Sequence, residues 1–219
     1  MPPLVLPIGQ CLGAAWDPHA GARQRVRLGT QVFALDDVRF AVWALAHGAP
    51  DRPSGTTRES LFALAADLGL PAPESAFAAL SADGLLADVA PANESGVAFA
   101  ARHRLVPLML GLGNTAEEPD RYRIGLPGRP IVAVDAATYG LFAWAHLETD
   151  LVAACRAAAD RAAAGLPIGL PSAAGAGSAA GADGDWADEQ GALAASFGGL
   201  HPLLAANAAY LDRALGAGH

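Results

Sequence analysis

The chain has 219 residues, is 53% hydrophobic and 16% charged, and carries a net charge of −8. This length fits two compact domains or one large one, and the apolar content fills a core and excludes global disorder. An acidic chain is a poor general ligand for polyanions, so nucleic-acid binding is disfavoured unless a local basic face overrides the total.

All 14 basic residues are arginine, which, with the abundance of alanine and glycine, fits a GC-rich bacterial genome. Cys11 and Cys155 stand far apart and outside any Cys/His cluster, so structural zinc is not expected. The opening "MPPLVLPIGQCLG" lacks the positive region of a signal peptide. No run of about 18 apolar residues is free of proline, glycine and charge, so no membrane span is expected. The default is a cytoplasmic protein with reduced thiols.

In "RVRLGTQVFAL" (25–35), polar and apolar residues alternate on both sides of Gly29-Thr30, the signature of a hairpin. Asp36 then caps a helix from Asp37 to His47, with Phe40, Trp43, Ala44 and His47 on one face, and Gly48 ends it. Thr56 and Glu59 read as a capping box for a second helix with Leu61, Leu64, Ala65 and Leu68 as its stripe. A third helix runs from Pro73-Glu74 to Asp83-Gly84. "LLADV" (85–89) and "GVAFAARHRLVPLML" (96–110) read as two strands around the turn "APANESG".

The second half opens with a hairpin (121–134) and a helix (135–147). A further helix (149–165) is capped by Thr149 or Asp150. Residues 166–185 are low in complexity and read as a mobile loop, most of all 171–184. "WADEQGALAASFGGL" (186–200) reads as a displaced third helix. "HPLLAANAAYLDRAL" (201–215) reads as a final helix with Leu203, Leu204, Ala208 and Leu211 on one side.

"VFALDDVRFAVWALAHG" (32–48) returns as "IVAVDAATYGLFAWAH" (131–146). Upstream, "RVRLG" (25–29) answers "RYRIG" (121–125), and "LPIGQCLG" (6–13) answers "VPLMLGLG" (106–113). Three matches in one order point to an internal duplication, with an insertion at "LPGRP" (126–130). Both copies should be strand followed by helix, with Trp43 and Phe142 buried. The expected fold is α+β, with unit one at 1–105 and a degenerate unit two at 106–219.

The order of hairpin, three helices and hairpin, with "ALSADGLLADV" closing the third helix, resembles a winged helix-turn-helix domain. The leading hairpin is similar to that of PqqD-like modules, which bind precursor peptides. The resemblance covers roughly residues 25–110. It implies either DNA reading through the third helix and wing, or peptide recognition on the edge of the leading strands.

The span 74–90 holds Glu74, Asp83 and Asp88 but no arginine, which argues against a DNA reader, because base and phosphate contacts need donors. Arginines gather instead on predicted strands: Arg23, Arg25 and Arg27; Arg102 and Arg104; Arg121 and Arg123, with Arg129 near them. They form a candidate edge for an anion or an acidic peptide, with a peptide or protein as the partner. The commoner role of such residues is a solvated strand face or protection of an edge from aggregation. His47 and His146 occupy equivalent helix ends, where capping of carbonyls is favoured over a pH-sensing pair. Asp36 and Asp135 are caps, and "GLGN" (111–114) is a tight turn. No nucleophile stands with a base and no metal-ligand spacing occurs, so no enzyme activity and no cofactor is expected.

Overall fold

The computed structural model describes residues 2–19, 21–48, 55–163 and 189–216. In chain order these hold β1 (Leu4–Pro7), β2 (Gln10–Asp17), β3 (Gly21–Leu28), β4 (Gln31–Leu35), α1 (Asp37–Leu45), α2 (Arg58–Asp67), α3 (Pro73–Ala82) and β5 (Leu86–Val89). A short helix, α4 (Glu94–Ala100), precedes β6 (His103–Pro107), β7 (Leu110–Gly113), β8 (Tyr122–Leu126) and β9 (Arg129–Val134). Then come α5 (Ala136–Trp144), a 3-10 turn (Ala145–Leu147), α6 (Leu151–Ala163), α7 (Glu189–Ala205) and β10 (Ala209–Arg213). The protein is α+β, with its strands in small antiparallel sheets. The expected mobile loop at 166–185 lies outside the described residues.

Both copies of the repeated stretch are strand followed by helix, β4–α1 and β9–α5. Each helix starts where the carboxylate of an extended Asp accepts a first-turn amide: Asp36 from Arg39 at 2.9 Å, Asp135 from Thr138 at 2.7 Å. Trp43 and Phe142 are 3% and 4% exposed. Trp43 also donates its indole N–H to the Ile8 carbonyl, which ties α1 to the turn after β1.

One pairing scheme recurs. β2-β3-β4 and β7-β8-β9 each form a three-stranded sheet, while β1 pairs with β5 and β6 with β10. Pro7 lies opposite Leu86, and Pro107 lies opposite Ala209. The third helix of each half closes alike: Leu85 N–H donates to the Leu80 carbonyl and Ala208 N–H to that of Leu203, both at 2.8 Å. Gly84 at φ 74° and Asn207 at φ 51° make the left-handed turns this closure needs. Residues of both halves, from Leu4, Ile8 and Trp43 to Ile124, Phe197 and Leu211, belong to one apolar cluster.

Several elements depart from the sequence reading. The expected strand 96–110 begins as helix α4, because Asn93 caps it and Phe99 and Ala100 are buried on its inner side. Gly96 permits this helix to sit close to Pro91, whose carbonyl would lie 2.6 Å from any added Cβ. β5 and β6 therefore form no hairpin with each other; each pairs with a distant strand. The expected helix 201–215 ends at Ala205 and gives way to β10. The capping box of α2 is Thr57 with Ser60, one residue beyond Thr56; Thr56 is buried, and its carbonyl accepts from Val5.

The insertion at 126–130 is also smaller than the sequence implied. Both hairpins turn on two residues, Gly29-Thr30 between Leu28 and Gln31, and Pro127-Gly128 between Leu126 and Arg129. The extra residue is Ile131, in a bulge opposite Ile124 and Gly125. Gly125 is required there, since an added Cβ would lie 2.5 Å from the Arg129 carbonyl oxygen.

Candidate recognition face

The two three-stranded sheets have a buried face and an open one. On β3, Val26 and Leu28 point into the core, and so do Tyr122 and Ile124 on β8. Alternation then places Arg23, Arg25 and Arg27 on the open face of the first sheet, and Arg121 and Arg123 on that of the second. Arg25 stands between Gly13 on β2 and Ala34 on β4; Arg123 stands between Gly113 on β7 and Ala133 on β9. Gly13 and Gly113 each follow a bulge, have φ of 78° and 72°, and have no atom within 4 Å of an added Cβ. Both arginines are half-buried among small neighbours.

This register corrects the sequence match of "RVRLG" with "RYRIG". The structural counterpart of Arg123 is Arg25, and that of Arg121 is Arg23; Arg27 corresponds to Gly125. A slip of two residues along a strand keeps every side chain on its face, so the sequence pattern alone could not choose.

Arg27 has a structural role. Its guanidinium donates to the Gln10 amide oxygen at 2.8 Å, the Tyr210 hydroxyl at 2.6 Å and the Gly29 carbonyl at 2.9 Å, and lies 3.6 Å from the Asp212 carboxylate. Asp212, 3% exposed, also accepts the Gly29 N–H at 2.7 Å. Arg213 reaches Gln31 at 3.0 Å, and Gly9 donates its N–H to the Leu211 carbonyl. β10 thus clasps the first sheet to the second half.

Of the other candidate arginines, Arg102 donates to the Ala98 carbonyl in the turn after α4, and Arg104 sits on β6 opposite Asp212. Neither is on a hairpin of β5 with β6, since each of those strands pairs elsewhere. Arg121 donates to the Ala133 carbonyl. Arg23 lies close enough to Asp36 to help hold its carboxyl below the usual range, after the larger effect of the Arg39 amide. Among the described residues Arg23, Arg25, Arg104 and Arg123 make no ion pair within 4 Å, and the Nε atoms of Arg25 and Arg104 are buried without a hydrogen-bond partner. In a chain of net charge −8 such an unmatched guanidinium calls for an explanation.

The adjoining edge strand is unusual. β2 hydrogen-bonds to β3 on one side, and no described strand pairs with its other side. Strand edges are commonly defended by charge on the edge itself. Here "QCLGAAWD" holds no charge before Asp17, with Leu12 39% and Trp16 75% exposed. β7, "LGLG", has the same free edge and no charge at all. The arginines stand on the central strands, one strand in from each edge, where they do not guard it.

The other candidates have structural roles or none that the geometry supports. His47 lies edge-on against Trp43 at 4.4 Å with Nδ1 3.1 Å from the Trp43 carbonyl, and burial pushes its pKa down to about 4. His146 is half-buried in the 3-10 turn, its Nδ1 without a partner. Cys11 is exposed, Cys155 is buried, and neither is in a disulfide. A groove between α5 and α6, lined by Leu141, Trp144, Ala154 and Arg161, has a volume of about 20 Å³, room for about one water. Among the described residues no three His, Cys, Asp or Glu side chains are grouped to hold a metal, and no helix is long and apolar enough to cross a membrane. No family model, curated protein or solved structure matches the chain.

Proposed function

We propose that the protein is a non-catalytic recognition protein that takes an extended, acidic segment of a peptide or protein partner on the free edge of β2. The observation that carries this reading is the undefended edge Leu12–Asp17 one strand away from Arg23 and Arg25. A strand added there would satisfy the outward backbone groups of β2. Its alternate side chains would rise on the arginine-bearing face, where carboxylates meet unpaired guanidinium groups. A second copy of this chain fits less well, because pairing two β2 edges would bring two arginine rows onto one continuous face with only Asp17 and, near Arg23, Asp36 to offset them. We read each half as a winged-helix-like unit, 1–105 and 106–219, in which β5 and β10 stand where a wing hairpin would, and the two as products of one duplication. The leading sheet is the part similar to PqqD-like peptide modules.

The test uses the hexapeptide acetyl-Thr-Glu-Thr-Glu-Thr-Glu-amide with a fluorescent label. It should bind with a Kd on the order of 100 µM, weakening as salt rises, and its lysine analogue should not bind. Arg25→Glu should weaken it about tenfold. Random duplex DNA should not be shifted by micromolar protein at physiological salt, since α3 offers Glu74 and no arginine. A DNA shift at that concentration with no peptide binding would replace this reading with a winged-helix regulator. A dimer in sedimentation that the peptide does not dissociate would assign the edge to a second copy.

A further inference from the structure

We infer that the second half carries an equivalent docking face on β7-β8-β9, so that the chain takes two acidic segments rather than one. This rests on the recognition reading above and extends it to a site with its own residues. The grounds are positional. Arg123 occupies the register position of Arg25, Arg121 precedes it by two residues as Arg23 precedes Arg25, the bulge glycine Gly113 repeats Gly13, and Ala133 repeats Ala34. Only the arginine that the clasp employs, Arg27, has no counterpart, because Gly125 stands in its place. The β7 edge is free, as that of β2 is, and shorter, at four residues against eight. The residues kept are those a carboxylate-bearing strand would meet, an Arg-x-Arg pair beside an open glycine, of which Arg121 also donates to the Ala133 carbonyl, and the one lost is Arg27, whose partners lie on β10 and β2. The shared pair defines the ligand class: an extended segment with carboxylates two residues apart, the spacing of side chains on one face of a strand.

The half-buried arginines also explain why small residues surround them. Gly13 and Ala34, or Gly113 and Ala133, add little bulk beside the arginine on the open face. A larger neighbour would cover the approach of a carboxylate.

Isothermal titration of the full chain with the same unlabelled hexapeptide tests this. Wild type should bind two peptides per chain. Arg123→Glu and Arg25→Glu should each leave one site, with the affinity of the lost site at least about tenfold weaker. The double variant should bind none. Circular dichroism establishes that each variant is folded, and Arg123→Gln, which adds no negative charge, should weaken the second site by a smaller factor. A stoichiometry of one in wild type, unaffected by Arg123→Glu, overturns the second site while leaving the first. Absence of any binding to wild type overturns the recognition reading and this inference together.

Discussion

Replacing Asp212 with alanine should destabilise the protein by about 3 kcal/mol, read as a lower urea midpoint or a melting temperature roughly 6–12 °C lower. Asp212 is almost wholly buried, and its carboxylate accepts the backbone N–H groups of Gly29 and Arg213 while facing Arg27 at 3.6 Å. Truncation leaves those donors without an acceptor and a guanidinium without its counter-charge. Arg27 keeps its bonds to Gln10, Tyr210 and Gly29, which limits the loss to less than that of a fully buried ion pair. Asp212→Asn, which keeps an acceptor for Gly29 but not the charge, should cost roughly half as much. An alanine variant as stable as wild type would mean that β10 does not hold the two halves together.

Acidification should weaken the fold between about pH 6.5 and pH 4, and His47 should account for up to about 3 kcal/mol of that loss. Burial against Trp43 pushes its imidazole from an ordinary value of 6.5 to about 4. Within that window the unfolded chain takes up a proton that the folded chain refuses. Stability contributed by the neutral ring is therefore complete above pH 6.5 and lost as pH falls toward 4. His103, also pushed down by burial as it stacks on Phe99, adds a slope of the same sign. Asp36 acts lower: its carboxyl is held below 3.8, so its contribution disappears only beneath that value. Urea midpoints of wild type and His47→Gln, measured from pH 7 to pH 4, should converge as the pH drops. Parallel curves would contradict the assignment.

Local chemistry was legible in the sequence where one residue dictates one conformation. Asp36 and Asp135 cap helices as read, and Gly84 turns the chain out of α3. Where two conformations share a pattern, the sequence misled. "GVAFAA" alternates like a strand, yet Asn93 followed by Glu94 was the helix-start signal that prevailed. "YLDR" continues a helical spacing of leucines, but Asn207 takes the left-handed turn that Gly84 takes in the first half, and the chain leaves as β10. The match of "ANAAYLDR" to "ADGLLADV" was the available clue, hidden by the exchange of glycine for asparagine.

The candidate site divides in the same way. That arginines crowd the leading strands was plain from their alternation. That Arg27 is engaged within the fold while Arg23 and Arg25 are not depends on Tyr210 and Asp212, far along the chain and brought close only by the pairing of β10 with β6. No local pattern carries that contact. The free edge of β2 is equally a property of topology, since it follows from which strands pair and which do not.

Amide hydrogen exchange across β2, with and without the acidic hexapeptide at saturating concentration, tests strand addition most directly. An added strand hydrogen-bonds to the outward amides of Leu12–Asp17, so these should gain protection while the amides of β3, already paired on both sides, change little. Bound peptide with unchanged exchange at Leu12–Asp17 would contradict recognition at this edge.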